Sequence, residues 1–268
     1  NILPILVHQL MHRPNDAADC RSLFEAGESF RKADHHQDAL RCYKRAIRGL
    51  GSLAGEDADR LFVDVVLKYA LIFSPSEDYK EISAWIREAI LRAEGSVVQS
   101  FQALLKMYLA LFMWYDNRRD AAIRQFNEGW AMAQAGKNPA IRHYAGALRM
   151  YFLFWQGRFR DVVGVYEETV PKVARYPRSG FSTMVTISLG LCLSFCGRTT
   201  EGVGMLRGIQ AHCRKIGDSL ALGKASLGLA SVLLVTGRTE EGMAVLETLR
   251  IAFDESPLRT ASGERRMF

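Results

Sequence analysis

The sequence predicts an all-α fold built from about six antiparallel helix pairs, each about forty residues long. Three observations support this prediction. A short turn-forming pair of residues recurs at a fixed interval. Apolar residues on both sides of each turn follow the three- and four-residue spacing of helices. The composition, with 7 prolines and 49% hydrophobic residues among 268, is typical of a helical globular protein.

The recurring turn sets the register of the repeats. Its two residues fall at regular steps along the chain, at Asn117-Arg118, Gly157-Arg158, Gly197-Arg198 and Gly237-Arg238. Glycine and asparagine readily adopt the left-handed backbone conformation that ends helices. Two earlier stretches, SPSED and the segment around Asp34-His35, are also turn-like and lie at nearly the same spacing. Each turn therefore separates the two helices of one pair.

Small and large side chains alternate along the buried face of each predicted helix. A mostly small residue precedes each turn: Gly27, Ala70, Ala110, Met150, Gly190 and Ala230. A large apolar series follows it in the second helix: Tyr43, Ile86, Phe126, Tyr166, Leu206 and Leu246. Small residues let two helices approach closely, and large ones fill the space between them. A single pair cannot bury its apolar face, so neighbouring pairs must stack.

The first repeat resembles a tetratricopeptide repeat. Gly27, Phe30, Ala39, Tyr43 and Ala46, within LFEAGESFRKADHHQDALRCYKRAI, stand at the offsets of that family's small and aromatic residues. Later repeats keep the pattern but are longer than that family's repeat of about 34 residues, and they lack its early Trp and closing Pro. The longer period resembles the sensor repeats of bacterial signalling ATPases and transcription activators, such as the maltose activator family.

This resemblance covers residues 20–255 and implies a fold and a kind of function. The implied fold is a right-handed superhelical solenoid whose first helices line the concave surface. The implied function is binding of a protein or peptide, or sensing of a small-molecule effector, in that groove. Apolar surface in a groove is typical of a binding site. The candidate groove residues are Met107, Leu111, Trp114, Tyr144, Tyr151 and Phe154. The alternative is that a tightly wound superhelix buries these side chains as ordinary core.

The arginines of the recurring turn have two interpretations. Arg118, Arg158, Arg198 and Arg238 could bind phosphate or acidic partners. They could equally pair with the acidic residue a few positions later, which is the interpretation we favour.

The net charge is +6, but basic and acidic residues are interleaved along the chain. A nucleic-acid-binding protein usually gathers its basic residues on one face, so we expect no direct nucleic-acid binding.

No sequence motif for catalysis or metal binding is present. The sequence lacks GxSxG, a phosphate-binding GxxxxGK[ST] loop, HExxH and an EF-hand loop. His35-His36 is explained by turn chemistry, and the five cysteines have no CxxC spacing. We therefore expect no enzyme activity, no metal, no cofactor and reduced thiols. No apolar run is long enough to cross a membrane, so no membrane partner is expected.

These observations predict three segments and one general function. Residues 1–18 are the end of a preceding helix pair or a cap, residues 19–256 are the repeat domain, and residues 257–268 are a linker or tail. The predicted function is a non-catalytic binding module of a larger cytoplasmic bacterial signalling or transcription regulator. The alternatives are a generic peptide-binding scaffold and a self-association module that acts through its end repeats.

Overall fold

The computed structural model describes residues 16–33, 35–72, 79–95, 99–173, 180–217 and 219–254. In these ranges the chain forms α-helices and one short 3-10 helix, Gln99–Phe101, and no strand. The α-helices are α1 Ala17–Lys32, α2 His36–Leu50, α3 Glu56–Ile72, α4 Tyr79–Ala93, α5 Gln102–Tyr115, α6 Arg119–Ala135, α7 Pro139–Trp155, α8 Phe159–Val173, α9 Gly180–Phe195, α10 Thr199–Ile216, α11 Ser219–Val235 and α12 Thr239–Asp254. The predicted tail at 257–268 and most of the predicted cap at 1–18 lie outside the described residues.

The chain divides into two compact units. Unit 1 comprises residues 1–152 and 169–182, and unit 2 comprises residues 153–168 and 183–268. In unit 1, consecutive helices from α1 to α6 pack against one another, and α3 also contacts both α1 and α5. In unit 2, α10 packs against α11 and α11 packs against α12. The contacts between consecutive helices are those expected for stacked helix pairs.

The turn that sets the repeat register has the same backbone geometry in four repeats. Asn117, Gly157, Gly197 and Gly237 all have positive φ angles, between 58° and 91°. The arginine after each of them donates its backbone N–H to the carbonyl five residues earlier, at 2.8 to 3.0 Å. This is the capping motif that a left-handed residue allows at a helix C-terminus. The predicted position and the predicted conformation of these turns are both confirmed.

Four of the six large side chains predicted for the second helices lie in the core, and the other two, Tyr166 and Leu246, are half-buried. Tyr43, Ile86, Phe126 and Leu206 occupy the same repeat position and are all buried. Gly27 shows why a small residue is needed opposite them, because a Cβ atom there would lie 2.5 Å from Cε1 of Tyr43. The small and large series therefore interlock as the sequence predicts.

Helices α9 and α10 approach each other closely at Gly202. A Cβ atom at this position would lie 2.3 Å from the carbonyl oxygen of Gly190 and 2.2 Å from Oγ of Ser194. The hydroxyl of Ser194 itself donates to the carbonyl of Gly190 at 2.8 Å. The backbone of α10 therefore lies directly against α9, with no room for a side chain on α10 at this point.

Arg92 joins three elements of unit 1. Its guanidinium donates to the carbonyl oxygens of Leu50 and Leu53 at 3.2 Å and to that of Gly51 at 3.3 Å. It also forms ion pairs with Asp59 and Glu88, and its Cζ lies 4.3 Å from the ring centroid of Phe62. Arg92 therefore holds the end of α2, the start of α3 and the end of α4 together.

Candidate functional site

The first helices of the pairs in unit 1 surround one surface. We call it the inner surface and define it by the half-buried residues Glu28, Arg31, Asp64, Lys68, Trp114, Tyr144 and Tyr151. Direct contacts link α1 to α3 and α3 to α5. Aromatic contacts then link α5 to α7, because the ring of Trp114 meets that of Phe152 edge-on at 5.4 Å.

A charged cluster occupies the α1 side of the inner surface. The carboxylate of Glu28 accepts hydrogen bonds from Nε and Nη2 of Arg31, at 2.9 and 2.8 Å, and from the hydroxyl of Tyr43. Nζ of Lys68, on α3, lies 3.9 Å from the same carboxylate. Partial burial alone would raise the pKa of Glu28, but the hydrogen bonds from Arg31 and Tyr43 outweigh burial and lower it. Glu28 is therefore a charged, well-bonded group that joins α1, α2 and α3.

Tyr144, on α7, responds to the charges of this cluster. Burial raises the pKa of the Tyr144 hydroxyl, and the charges of Arg31 and Glu28 act on it in opposite directions. Contacts between successive first helices link α1 to α3, α3 to α5 and α5 to α7, so the inner surface runs along these four helices in that order.

Two tyrosines on α5 and two on α7 share one spacing, and three of them, Tyr115, Tyr144 and Tyr151, are half-buried whereas Tyr108 is buried. Tyr108 and Tyr115 are seven residues apart on α5, as are Tyr144 and Tyr151 on α7, so each pair lies on one helix face. The hydroxyl oxygens of Tyr115 and Tyr151 are 3.4 Å apart. Burial raises the pKa of Tyr108 and Tyr115, so these hydroxyls stay protonated and can donate hydrogen bonds.

Asp64 is the other acidic residue of the inner surface. Its pKa is raised mainly by burial, although the charges of Arg60 and Lys68 lower it. Within the described residues its carboxylate accepts no hydrogen bond and forms no ion pair at salt-bridge distance. A ligand with a hydrogen-bond donor would find an acceptor here, since a half-buried carboxylate gains from such a bond.

The structure separates the six candidate groove residues into three groups. Met107 is 0% exposed and packs against α6, where a Cβ atom on Gly129 would lie 2.8 Å from its Cγ. Leu111 is also buried, so both residues lie beneath the inner surface rather than on it. Trp114, Tyr144 and Tyr151 are half-buried and lie on it. Phe154 belongs to unit 2, where its ring stacks on that of Phe159 at 5.9 Å.

Sequence reasoning did not select the charged cluster or two of the tyrosines. Glu28 and Arg31 stand at inner positions of the repeat register, but one charged pair at a single repeat gives no periodic signal. Lys68 and Tyr108 stand one position away from that register. The equal seven-residue spacing of the tyrosines on α5 and α7 was a signal that could have identified Tyr108 and Tyr115.

Three of the four turn arginines, Arg158, Arg198 and Arg238, pair locally, as we expected. Arg158 binds Asp161 at 2.6 Å, and Arg238 binds Glu241 at 2.7 Å. Arg198 binds both Glu201 and Glu167. These exposed pairs neutralise the arginines and contribute little to stability.

The described part of the chain contains buried thiols and no cluster of side chains suited to a metal ion. Burial raises the pKa of Cys42 to about 11 and, with the charge of Cys196, that of Cys192 to about 12, so both thiols remain protonated. No cluster of three or more His, Cys, Asp or Glu side chains in the described ranges could hold a metal ion. None of the described helices is long and apolar enough to cross a membrane.

Protonation of Glu28 gives a prediction for acid unfolding. The pKa of Glu28 in the folded chain lies below its ordinary value of 4.5. The carboxylate therefore stabilises the fold above pH 4.5, and this contribution is lost as the pH falls through the folded-state pKa. We expect Glu28→Gln to be less stable than the wild type at neutral pH and to show a smaller loss of stability on acidification. Thermal unfolding followed by circular dichroism between neutral and acidic pH tests this. Equal pH dependence in the two proteins would contradict it.

Comparisons with known proteins identify the fold. No protein-family model matches the chain, and no curated protein matches it in sequence. It is similar to the crystal structure of aspartyl phosphate phosphatase F from Bacillus subtilis, with 12% identity and a TM-score of 0.53 over 92% of this chain and 72% of that one. A Podospora anserina protein with nearly identical TPR-like repeats matches at 14% identity and a TM-score of 0.44, over 76% of this chain and 98% of that one. The predicted all-α, TPR-like fold class is confirmed.

Proposed function

We propose that this chain is a non-catalytic binding module that holds a protein or peptide partner on the inner surface of unit 1. The observation that carries this proposal is that the first helices of unit 1 present three half-buried aromatic side chains, Trp114, Tyr144 and Tyr151, and the charged cluster at Glu28. Aromatic side chains beside hydrogen-bonding groups are typical of the few residues that contribute most of the binding energy at a protein interface. Tyrosine hydroxyls and the carboxylate of Asp64 would bind the polar groups of a partner, and the aromatic rings would bind its apolar side chains.

The resemblance of the repeats to bacterial sensor domains supports a proposal about the larger protein that contains this module. We propose that the module belongs to a larger cytoplasmic signalling or transcription regulator whose output lies in another domain. A small-molecule effector is the second candidate ligand, because the inner surface combines half-buried aromatic side chains with the charged Glu28 cluster. Either ligand would act by preferring one conformation or assembly state over another. A generic peptide-binding scaffold would use the same surface without such a coupled change.

Accessibility of Trp114 provides the first test of this proposal. A variant that keeps only Trp114, with Trp85, Trp130 and Trp155 changed to Phe, reports on the inner surface by its fluorescence. We expect acrylamide to quench Trp114 partially, because its side chain is half-buried. A variant that keeps only Trp155 supplies the exposed reference. Complete protection of Trp114 would place it in the core and would contradict the proposed site.

Binding variants provide the second test. Peptides selected from a random display library against the wild-type chain would be re-tested against Tyr144→Ala and Trp114→Ala. We expect both variants to bind at least about tenfold more weakly, because truncating an aromatic anchor removes much of the contact energy. Arg198→Ala, at an exposed turn of unit 2, is the matched control and should bind as the wild type does. The reverse ranking would move the site to the turn edge.

A further inference from the structure

The last described helix, α12, presents an apolar face that no described helix covers. We call it the terminal face and define it by Met243, Leu246, Glu247, Arg250 and Ile251. The side chain of Met243 is 56% exposed, and Ile251 is also exposed. Met243, Leu246, Glu247 and Arg250 border the same surface depression, so they lie on one side of the helix. An apolar patch of this kind marks a surface that binds another one.

The preceding repeat shows what the equivalent side of its second helix, α10, packs against. Forty residues earlier, Val203, Leu206 and Gln210 occupy the equivalent positions on α10, and all three are buried. α11 packs over them, and the side-chain amide of Gln210 donates to the hydroxyl of Ser226 at 2.8 Å. Val203 is 4% exposed where Met243 is 56% exposed. Met243, Leu246 and Arg250 therefore stand at the positions that contact the next helix in the preceding repeat, whereas Glu247 and Ile251 flank them, because their equivalents Arg207 and Ala211 are exposed.

The first described helix, α1, does not offer a matching surface. The outward side of α1 carries Ser22, Glu25 and Ser29, which are polar and exposed. Packing Met243 and Ile251 against these groups would bury polar atoms without apolar contacts in return. Head-to-tail stacking of copies through α1 and α12 is therefore disfavoured.

The terminal face carries one acidic and one basic side chain, so two copies of it can meet with opposite charges facing each other. Glu247 and Arg250 form an ion pair along α12 at 2.6 Å. We propose that the terminal face joins two copies of this chain about a two-fold axis that passes between Glu247 and Arg250. Two antiparallel α12 helices related by this axis place Glu247 beside Arg250 of the partner subunit, and Leu246 beside Ile251 of the partner subunit. In such an arrangement one patch meets itself, so assembly stops at the dimer. This interface is separate from the inner surface of unit 1 and goes beyond the function proposed above.

The size of the terminal face sets the strength of the dimer. One helix side per copy is a smaller area than the roughly 800 Å² per partner found in stable interfaces. The dimer therefore forms only at high protein concentration, and sedimentation equilibrium over the micromolar to submillimolar range is the measurement. We expect the wild-type chain to follow a monomer–dimer equilibrium.

Two glutamate substitutions test the position of the interface. Met243→Glu puts a charge into the apolar part of the terminal face, and we expect it to raise the dissociation constant by about tenfold or more. Leu91→Glu is the matched control, because Leu91 is an equally exposed apolar side chain, at 65%, on α4 of unit 1. We expect Leu91→Glu to dimerise as the wild type does. Both residues are exposed, so both variants should fold, which far-ultraviolet circular dichroism checks.

Charge exchange tests the two-fold arrangement. Glu247→Arg and Arg250→Glu each place like charges together in the dimer, so each alone should weaken it. The double variant restores opposite charges and should dimerise with nearly the wild-type dissociation constant.

A monomeric wild type at every concentration overturns the proposal and indicates that residues 255–268 or another partner cover the face. Species larger than a dimer, or equal effects of Met243→Glu and Leu91→Glu, overturn it as well. None of these variants touches the inner surface, so peptide binding there is tested independently.

Discussion

Gly202→Ala is expected to lower the free energy of unfolding by about 3 kcal/mol, since overpacking a close helix contact costs that much. The new methyl group would meet the carbonyl oxygen of Gly190 at 2.3 Å, and backbone cannot move aside as a flexible side chain can. α9 and α10 would have to separate along their length. Chemical denaturation followed by circular dichroism measures the loss as a shift of the transition midpoint.

Two other glycines of α10 supply matched controls for Gly202. A Cβ atom at Gly204 or Gly208 would meet nothing within 4 Å. Alanine is favoured over glycine inside a helix by about 1 kcal/mol, so both substitutions should stabilise the chain slightly. A Gly202→Ala variant as stable as these two would show that α9 and α10 do not approach as closely as described.

Arg92→Lys is expected to destabilise the chain by about 2 to 4 kcal/mol, despite keeping the positive charge. An ammonium group cannot reach the carbonyls of Leu50, Gly51 and Leu53 and the carboxylate of Asp59 at the same time. It also lacks the flat guanidinium surface that lies over Phe62. The side chain is only 12% exposed, so water cannot fully replace the lost bonds.

The control for Arg92 is an arginine with one exposed partner. Arg41 binds only Asp38 among the described residues, and its side chain is 73% exposed. Arg41→Lys should change the stability by less than about 0.5 kcal/mol. Thermal unfolding of the two variants beside the wild type makes the comparison. Equal melting temperatures for Arg92→Lys and the wild type would show that the junction of α2, α3 and α4 does not depend on the guanidinium group.

The repeat register could be predicted from sequence because local chemistry determines it. A left-handed residue at positions 117, 157, 197 and 237 ends a helix wherever it occurs, and the residues on each side keep helical spacing. The core positions followed for the same reason, since Tyr43 and its equivalents recur once in every repeat. Both predictions depend on residues that lie near each other in the chain.

The candidate site could be predicted only in part, because it depends on how tightly the helix pairs wind. The register places Met107 and Tyr144 at inner positions alike, yet one is buried and the other half-buried. Met107 packs against α6 at Gly129, and such packing depends on the rotation between successive pairs rather than on spacing alone. The hydrogen bond from Tyr43 to Glu28 joins two helices through a glutamate that carries no periodic signal. Such contacts become visible only in the folded chain.

The shared capping turn has a consequence for how genes encoding such chains evolve. Because Gly197-Arg198 and Gly237-Arg238 end their helices with the same backbone hydrogen bond, the chain segments at these points are interchangeable. Unequal recombination between two such points would delete or duplicate one whole helix pair and leave the reading frame and the packing of the flanking pairs intact. We therefore expect natural relatives of this chain to differ in length by whole multiples of one repeat more often than by single residues within a pair.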